Sequence, residues 1–473
     1  MTNLKPSFPN LNPLPFFGFE QPQSIDCMHW HYLLSTERLG KAKPLEDEGF
    51  TRTAFQRDYD RILFSDHFRC LQNKTQVLPL PEADFVHTRL THTLETSAVG
   101  RSLGNLAGQM LAGRFPELAK NPEQLGAELG HLIGAACMAH DIGNPPFGHF
   151  GEEAIGAFFV QKQKMGALTA MNEAQAADLC NFEGNAAGFH LLTHHAPQVS
   201  TNRGGLQLTA ASLMAFTKYP KPSIPNLRQL GKASQKKYGY FQADRETFAE
   251  VARRLHIDAL QHTPYGARYP RHPLAYLVEA ADDICYNIID LEDAFKLGWV
   301  SWAQFLEYLE PLLPAFKTRA TYQGLHDNIE KAGYLRALAI NHLVKECAGF
   351  FMDVEQEILN DQFDAPLIDH IAYREAVKAL KSFSVKTIYR SEPILQLELK
   401  GYRVLHGLLE VFWTALDEPD HPYHKKLLSL LPVPYQHLPA LSGYPRFLGL
   451  AMFVSSLSDK YAVYLSHKIN GHT

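Results

Sequence analysis

Two histidines and two carboxylates crowd one short stretch, HDIGNPPFGHFGE, His140 to Glu152. An apolar run from Leu129 ends on His140-Asp141, and the backbone then breaks at Gly143-Asn144-Pro145-Pro146. His149 and Glu152 stand just before the next helical pattern. Residues at the end of a buried element, over a backbone break, are placed to face a cleft. Imidazole and carboxylate together can hold a cation there, or move protons.

With 23 histidines in the chain, about one His-Asp dipeptide is expected by chance. There are two. His326-Asp327 sits in the polar stretch GLHDNIEKAGY and reads as a solvated helix start, with Asp327 in the first turn. His140-Asp141 follows an apolar helix, where burying both groups unpaired is costly and a cation between them removes that cost.

A divalent cation needs further ligands from other buried helices. In RLTHTLE, Arg89 and His92 lie three residues apart on one helix face, with Leu90 and Leu94 on the other. Taken alone, His92 reads equally as a satisfied interface histidine. In YLVEAADDICYNIIDLEDAF, Asp282, Tyr286 and Asp290 fall at i, i+4 and i+8, flanked by Ala280, Ala281 and Ile284. The alternative is that Asp282-Asp283 and Asp293 form one solvated face. Two neutral imidazoles and two carboxylates balance a dication and leave positions on a six-coordinate ion for water or phosphate oxygen. That mixed set suits Mn, Fe, Co, Ni or Mg better than a closed structural zinc site. Such an ion can polarise a phosphoryl oxygen and acidify water.

The elements that must position these residues read almost wholly as helices. Apolar residues recur at three- and four-residue steps from Phe55, through Ile62 and Phe68. Further helices are expected around His92–Leu103, Leu129–Ala139, between Leu168 and His195, and nearly continuously from His272, including Leu274–Phe295, Trp302–Leu313, Leu335–Leu359, Leu405–Leu416 and Phe447–Leu465. Thr75–Leu80 reads as a short extended segment, and residues 219 to 245 as mostly loop. The expected architecture is all-α with few short strands: an N-terminal arm over residues 1–50, a catalytic core over 51–300, and a C-terminal helical region over 301–473 packed on that core.

Composition bounds the class. The 473 residues are 45% hydrophobic and 20% charged, with net charge −5, so a globular body is expected without a global basic field for nucleic acid. Six scattered cysteines without CxxC spacing fit a reducing compartment. No apolar run reaches a membrane span, and prolines interrupt the first 20 residues where a signal peptide would be continuous. A cytoplasmic location is the expectation.

The motifs RILFSDHFRCLQNKTQV, TRLTHTLE, HDIGNPPFGHFGE, NFEGNAAG, FTKYP with KKYGYFQ, EAADDICYNIIDLEDA and LELKGYRVLHGLL together resemble the HD-domain deoxynucleoside triphosphate triphosphohydrolases. This is the bacterial dGTPase family, related to the mammalian dNTPase with a SAM and an HD domain. The likeness runs from about Phe55 to the C-terminus. It implies an HD-type core and hydrolysis of a dNTP, dGTP among them, to deoxynucleoside and tripolyphosphate. It also implies that His92, His140, Asp141 and Asp282 are metal ligands, with Mn or Mg foremost among the ions. His149 and Glu152 would handle protons at the α-phosphate and the departing 5′-oxygen. Arg89, Lys218, Tyr219 and, less directly, Lys237 would contact phosphate. Gln76 and Asp290 would read the sugar 3′-hydroxyl, and Tyr286 would pack on the deoxyribose. Tyr286 has a second reading as a plain core aromatic, and Lys218, Lys236 and Lys237 as a solvated basic loop. The family likeness further implies a homo-oligomer, most often a hexamer, with dNTPs or single-stranded nucleic acid as effectors.

The chain departs from the family pattern at Cys70, where a second Arg is common, at Asn181, where His is frequent, and in SLSDKYA, where GMTD is usual. No ligand is lost, but strict dGTP specificity does not carry over. Competing readings are an HD phosphohydrolase for another nucleotide, and a nucleotide- or single-strand-binding regulator with a vestigial site.

Overall fold

The computed structural model describes residues 28–41, 52–76, 87–195, 200, 203–225 and 232–471. Residues 1–27 of the expected arm, and Val77–Leu80 of the expected extended segment, lie outside the described residues. The architecture is all-α, as the periodicity predicts. The described residues hold one sheet, an antiparallel hairpin of Gln261–Thr263 and Gly266–Arg268 with Gln261 opposite Arg268.

Two helices form the spine of the core: Arg89–Arg114 and Pro122–Ala139. Thr88 caps the first by accepting from Thr91 N–H, and Asn121 caps the second from Gln124 N–H, with Pro122 at its first position. They approach through small residues. A methyl group on Gly104 would stand 2.6 Å from the carbonyl oxygen of Leu129, and one on Gly108 would stand 2.7 Å from Cα of Gly126. The two backbones therefore touch, which only glycine permits here. The face of the first helix that turns inward carries His92, Thr93, Thr96, Val99 and Leu103. Leu94 is exposed, so the inner face is set by His92 and its neighbours rather than by the Leu90/Leu94 side.

A third long helix, Pro273–Lys296, packs across both. Its N-cap is His272, fully buried, whose Nδ1 accepts from Leu274 N–H at 3.1 Å while Nε2–H donates to the Leu33 carbonyl at 3.0 Å. The alternative of a solvated face through Asp293 does not hold: Asp293 is buried and ion-paired to His87 at 2.6 Å. Asp327 is the N-cap of Asn328–Asp353, accepting from Ile329 and Glu330 N–H, rather than a first-turn residue. The polar helix start expected there is correct.

The C-terminal helices close the body. Glu392–Asp417 lies against His149–Lys164, and the expected Phe447–Leu465 helix is two, Gly443–Ser456 and Asp459–Ile469, parted at Leu457-Ser458. Ser458 caps the second from Tyr461 N–H, and that new start puts Asp459 at the first helical position. Among the described residues, no helix is long and apolar enough to cross a membrane.

Candidate active site

The Pro122–Ala139 helix ends at His140 because the chain must turn sharply there. Gly143 lies so close to a neighbouring helix that a methyl group would stand 2.0 Å from both Gly184 O and Gly188 N. Phe147 and Gly148 both take positive φ, 63° and 61°, and the His149–Lys164 helix then begins. For Phe147 this conformation is strained, and Asp459 holds it by accepting from Phe147 N–H at 3.1 Å. The other oxygen of Asp459 accepts from Thr75 N–H at 3.0 Å. Lys74 extends the tie: its Nζ donates to the carbonyls of Asn144, at 2.5 Å, and Ser455, at 2.9 Å.

The four predicted metal ligands meet. His92 Nε2 lies 3.2 Å from Asp282 Oδ1, and His140 Nε2 lies 3.6 Å from both Asp282 Oδ1 and Asp141 Oδ1. The ligand atoms of His92, His140 and Asp141 fall within 4.8 Å of one another. His140 donates from Nδ1 to the Cys137 carbonyl at 2.6 Å, which leaves the Nε2 lone pair aimed into the group. Asp141 Oδ1 accepts from Arg89 at 2.8 Å and from Asn144, while its buried Oδ2 has no hydrogen-bond partner. A buried carboxylate oxygen left unsatisfied beside two imidazoles is what a cation would complete, so this donor set fits a divalent metal. Burial alone would raise the Asp141 carboxyl, but Arg89, then His140 and His92, hold it below the usual range. Asp282 is likewise lowered against burial, by His140 and His92. Both are carboxylates at neutral pH.

Next to this group lies the second pair. His149 Nδ1 is 3.0 Å from Glu152 Oε2, with the imidazole exposed and the carboxylate buried. Glu152 Oε1 accepts from Gly184 N–H at 2.8 Å, and Lys237 Nζ donates to Oε2 at 3.1 Å and to Glu183 at 3.0 Å. Burial would raise Glu152, yet His149 and Lys237 bring it down to about 2.

These residues open on one cavity of about 500 Å³, lined among others by Gln76, Arg89, His140, Asp141, His149, Lys218, Tyr219, Lys237, Asp282 and Tyr286. Gln76 Oε1 there is buried without a partner. Lys218 pairs with Glu279 at 3.1 Å; burial would depress its pKa, but Glu279 more than offsets that and keeps it charged. Tyr286 stacks on Tyr389, ring centres 5.5 Å apart at 18°. Asp290 is set back from the lining: Tyr389, which does line the cavity, donates its hydroxyl to Asp290 at 2.6 Å. Burial pushes Asp290 up to about 7.

Sequence reasoning did not find Tyr389, Asn144, Glu279, Lys74 or Asp459 as builders of the site, and it ranked Lys237 low. Lys237 sits in a loop whose composition reads as solvent-facing, and Tyr389 reaches the cavity from a separate helical region. Neither has a local signature.

Fold and site together define a helical protein with a buried histidine–aspartate centre fit for a divalent cation, opening on a cleft lined by both basic and acidic side chains. The chain is 39% identical over 456 residues to a deoxyguanosinetriphosphate triphosphohydrolase-like protein of Synechocystis sp., covering 94% of this chain and 99% of that one. It is 36% identical over 462 residues to the like-named protein of Pseudomonas aeruginosa, with the same coverage. To the deoxyguanosinetriphosphate triphosphohydrolase of Klebsiella pneumoniae it is 32% identical over 408 residues, 76% of this chain and 77% of that. No family model matches. The chain belongs to the deoxyguanosinetriphosphate triphosphohydrolase-like family.

Proposed function

We propose that the protein is a metal-dependent deoxynucleoside triphosphate triphosphohydrolase, converting a dNTP and water to deoxynucleoside and tripolyphosphate. One observation carries the reading: His140, Asp141 and Asp282 of the metal-type centre, with His92 against Asp282, line a single cavity together with Glu152-bonded His149, Arg89, Lys218 and Lys237. The names of the relatives from Klebsiella pneumoniae and Synechocystis sp. point to the same substrate class, dGTP included.

His92, His140, Asp141 and Asp282 would hold the ion, Mn or Mg by the donor chemistry, with Fe, Co and Ni compatible. When bound, it supplies a Lewis acid for phosphoryl oxygen and lowers the pKa of water. In the cavity lining the carboxylates of Asp141, Glu279 and Asp282 offset the three fixed cations, Arg89, Lys218 and Lys237, and burial pushes Asp283 up to about 7. A bound dication would add the positive charge that the oxygens of a triphosphate call for.

Each of the three cations already rests on a carboxylate, so incoming phosphate oxygens compete for donors that are already oriented. His149, free at the rim and backed by Glu152, takes the role of proton carrier at the 5′-oxygen. The sugar 3′-hydroxyl would meet Gln76 Oε1 and replace the Tyr389 hydroxyl on Asp290. Tyr286, held against Tyr389, would pack on the deoxyribose and leave little room for a 2′-hydroxyl. By family likeness we place the activity in the cytoplasm, in an HD-type fold and in a homo-oligomer, with dNTPs or single-stranded nucleic acid as effectors.

The test is product analysis with each dNTP and with GTP in Mn²⁺. Deoxynucleoside and tripolyphosphate are expected; dNMP with pyrophosphate would overturn the reading.

A further inference from the structure

A second cluster of metal-type donors lies away from the cavity. His190 is in the Gly184–Thr193 helix, and His194 is the C-cap of that helix, one turn on. Asp244, fully buried, ends the short turn Gln242–Asp244 and opens the Arg245–Arg254 helix. His190 Nδ1 lies 2.9 Å from Asp244 Oδ1 and 3.2 Å from Oδ2, and His194 Nδ1 lies 3.1 Å from Oδ1. The two imidazoles are parallel, 4.5 Å apart at 16°. All three ligand atoms fall within 4.8 Å of one another.

From this geometry we propose that His190, His194 and Asp244 form a second cation site, suited to a borderline transition ion such as Zn²⁺ and structural rather than catalytic in role. Ligands about 2.0–2.1 Å from a tetrahedral ion stand about 3.3 Å apart. The 2.9–3.2 Å separations between carboxylate and imidazole atoms are within a few tenths of an ångström of that edge, so an ion enters with little backbone movement. Histidines one turn apart on a helix, with a carboxylate from a second element, give the N₂O set that zinc accepts, and water completes four-coordination. The entry path exists: His190 and His194 are partly exposed while Asp244 is buried behind them.

The position gives the site a purpose. The Gly184–Thr193 helix starts at Gly184, whose N–H holds Glu152, and Lys237 lies seven residues before Asp244 on the same segment. An ion at the far end of the helix ties that segment to the helix, and so fixes the spacing between Lys237 and Glu152. This site stands independently of the dNTP reading, since it uses none of the cavity residues.

The test uses the full-length protein, stripped with chelator, dialysed against Zn²⁺ alone and assayed for bound metal. Wild type should retain two ions per chain, the His190→Gln/His194→Gln variant one, and Asp282→Asn one. An equal zinc content in wild type and the His190→Gln/His194→Gln variant would overturn the proposal. A check without any variant is anomalous scattering at the zinc edge from wild-type crystals grown with saturating Zn²⁺. A peak among His190, His194 and Asp244 is expected, and its absence at saturation rejects the site even if the variants fail to fold.

Discussion

At the scale of single residues, the ion pairs around Glu152 decide how its carboxylate behaves. Burial favours the neutral acid, and His149 and Lys237 reverse that preference. Glu152→Gln keeps the shape and removes the charge that backs His149. Its kcat should fall about 10²–10⁴-fold while bound metal and KM change little. Loss of metal with the activity would instead assign Glu152 to the ion. Lys237→Met removes one of the groups holding Glu152 at about 2, so the carboxyl pKa climbs. The acid limb of the kcat/KM profile should then move to higher pH; an unmoved limb would separate Lys237 from the proton chemistry. His140, with Nδ1 pinned to Cys137, presents a ready lone pair, and His140→Ala should cost both bound Mn²⁺ and turnover. His140-Asp141 stands out in the sequence at the end of an apolar run, whereas His92 alone reads as an interface histidine and Asp282 is set apart from Asp283 only by family likeness; the fold brings the four side chains together. Lys237 and Tyr389 were not legible, since a lysine in a polar loop and a tyrosine in the turn between the Arg374–Thr387 and Glu392–Asp417 helices look ordinary until the chain brings them to the cavity.

At the scale of elements, His272 shows how one cap governs a site helix. Its two bonds require the neutral ring with the proton on Nε2: a protonated Nδ1 cannot accept from Leu274. Burial lowers this imidazole to about 4, against 6.5 unfolded. Between these values the unfolded chain binds the extra proton, so the stabilisation is full above pH 6.5 and lost as pH falls through 4. Replacing His272 with Asn should remove about 1 kcal/mol of stability near neutrality or somewhat more, and flatten the pH 4–6.5 slope of thermal stability. A variant with the wild-type slope would show that other groups set it. Periodicity located most helices but not their breaks, as at Leu457-Ser458 and at Val354. What periodicity could not show is the glycine contact between Arg89–Arg114 and Pro122–Ala139. Gly100, Gly104 and Gly108 repeat every four residues, as do Gly126, Gly130 and Gly134. That spacing was available in the chain, but hydrophobic patterning is blind to a seam made of missing side chains.

At the scale of the whole molecule, the site is assembled from residues across nearly the full described length, and Asp459 is its most distant support. One carboxylate accepts from Phe147 on the metal-side loop and from Thr75 beside Gln76. Asp459→Ala leaves two buried N–H groups unmatched, each worth about 1–3 kcal/mol, and releases the strained Phe147. Activity should fall about 10–100-fold through misplacement of His149, with a lower melting temperature, while Asp459→Asn should recover part of both. If Asp459→Ala melts lower but turns over normally, Asp459 serves folding alone. The expected division at residue 300 would not have suggested this, because the SLSDKYA segment stands out in sequence only as a departure from a related pattern.

The same carboxylate sets an order of events during synthesis. Phe147 and Asp459 are 312 residues apart, so at about 5–20 residues per second the loop waits roughly 15–60 s for its partner to be made. Until then Lys74, Phe147 and Thr75 lack Ser455 and Asp459, and the loop that carries His149 is unbraced. A nascent chain thus holds every predicted metal ligand before it has the brace on the loop that carries His149, which forms only once Asp459 has been made.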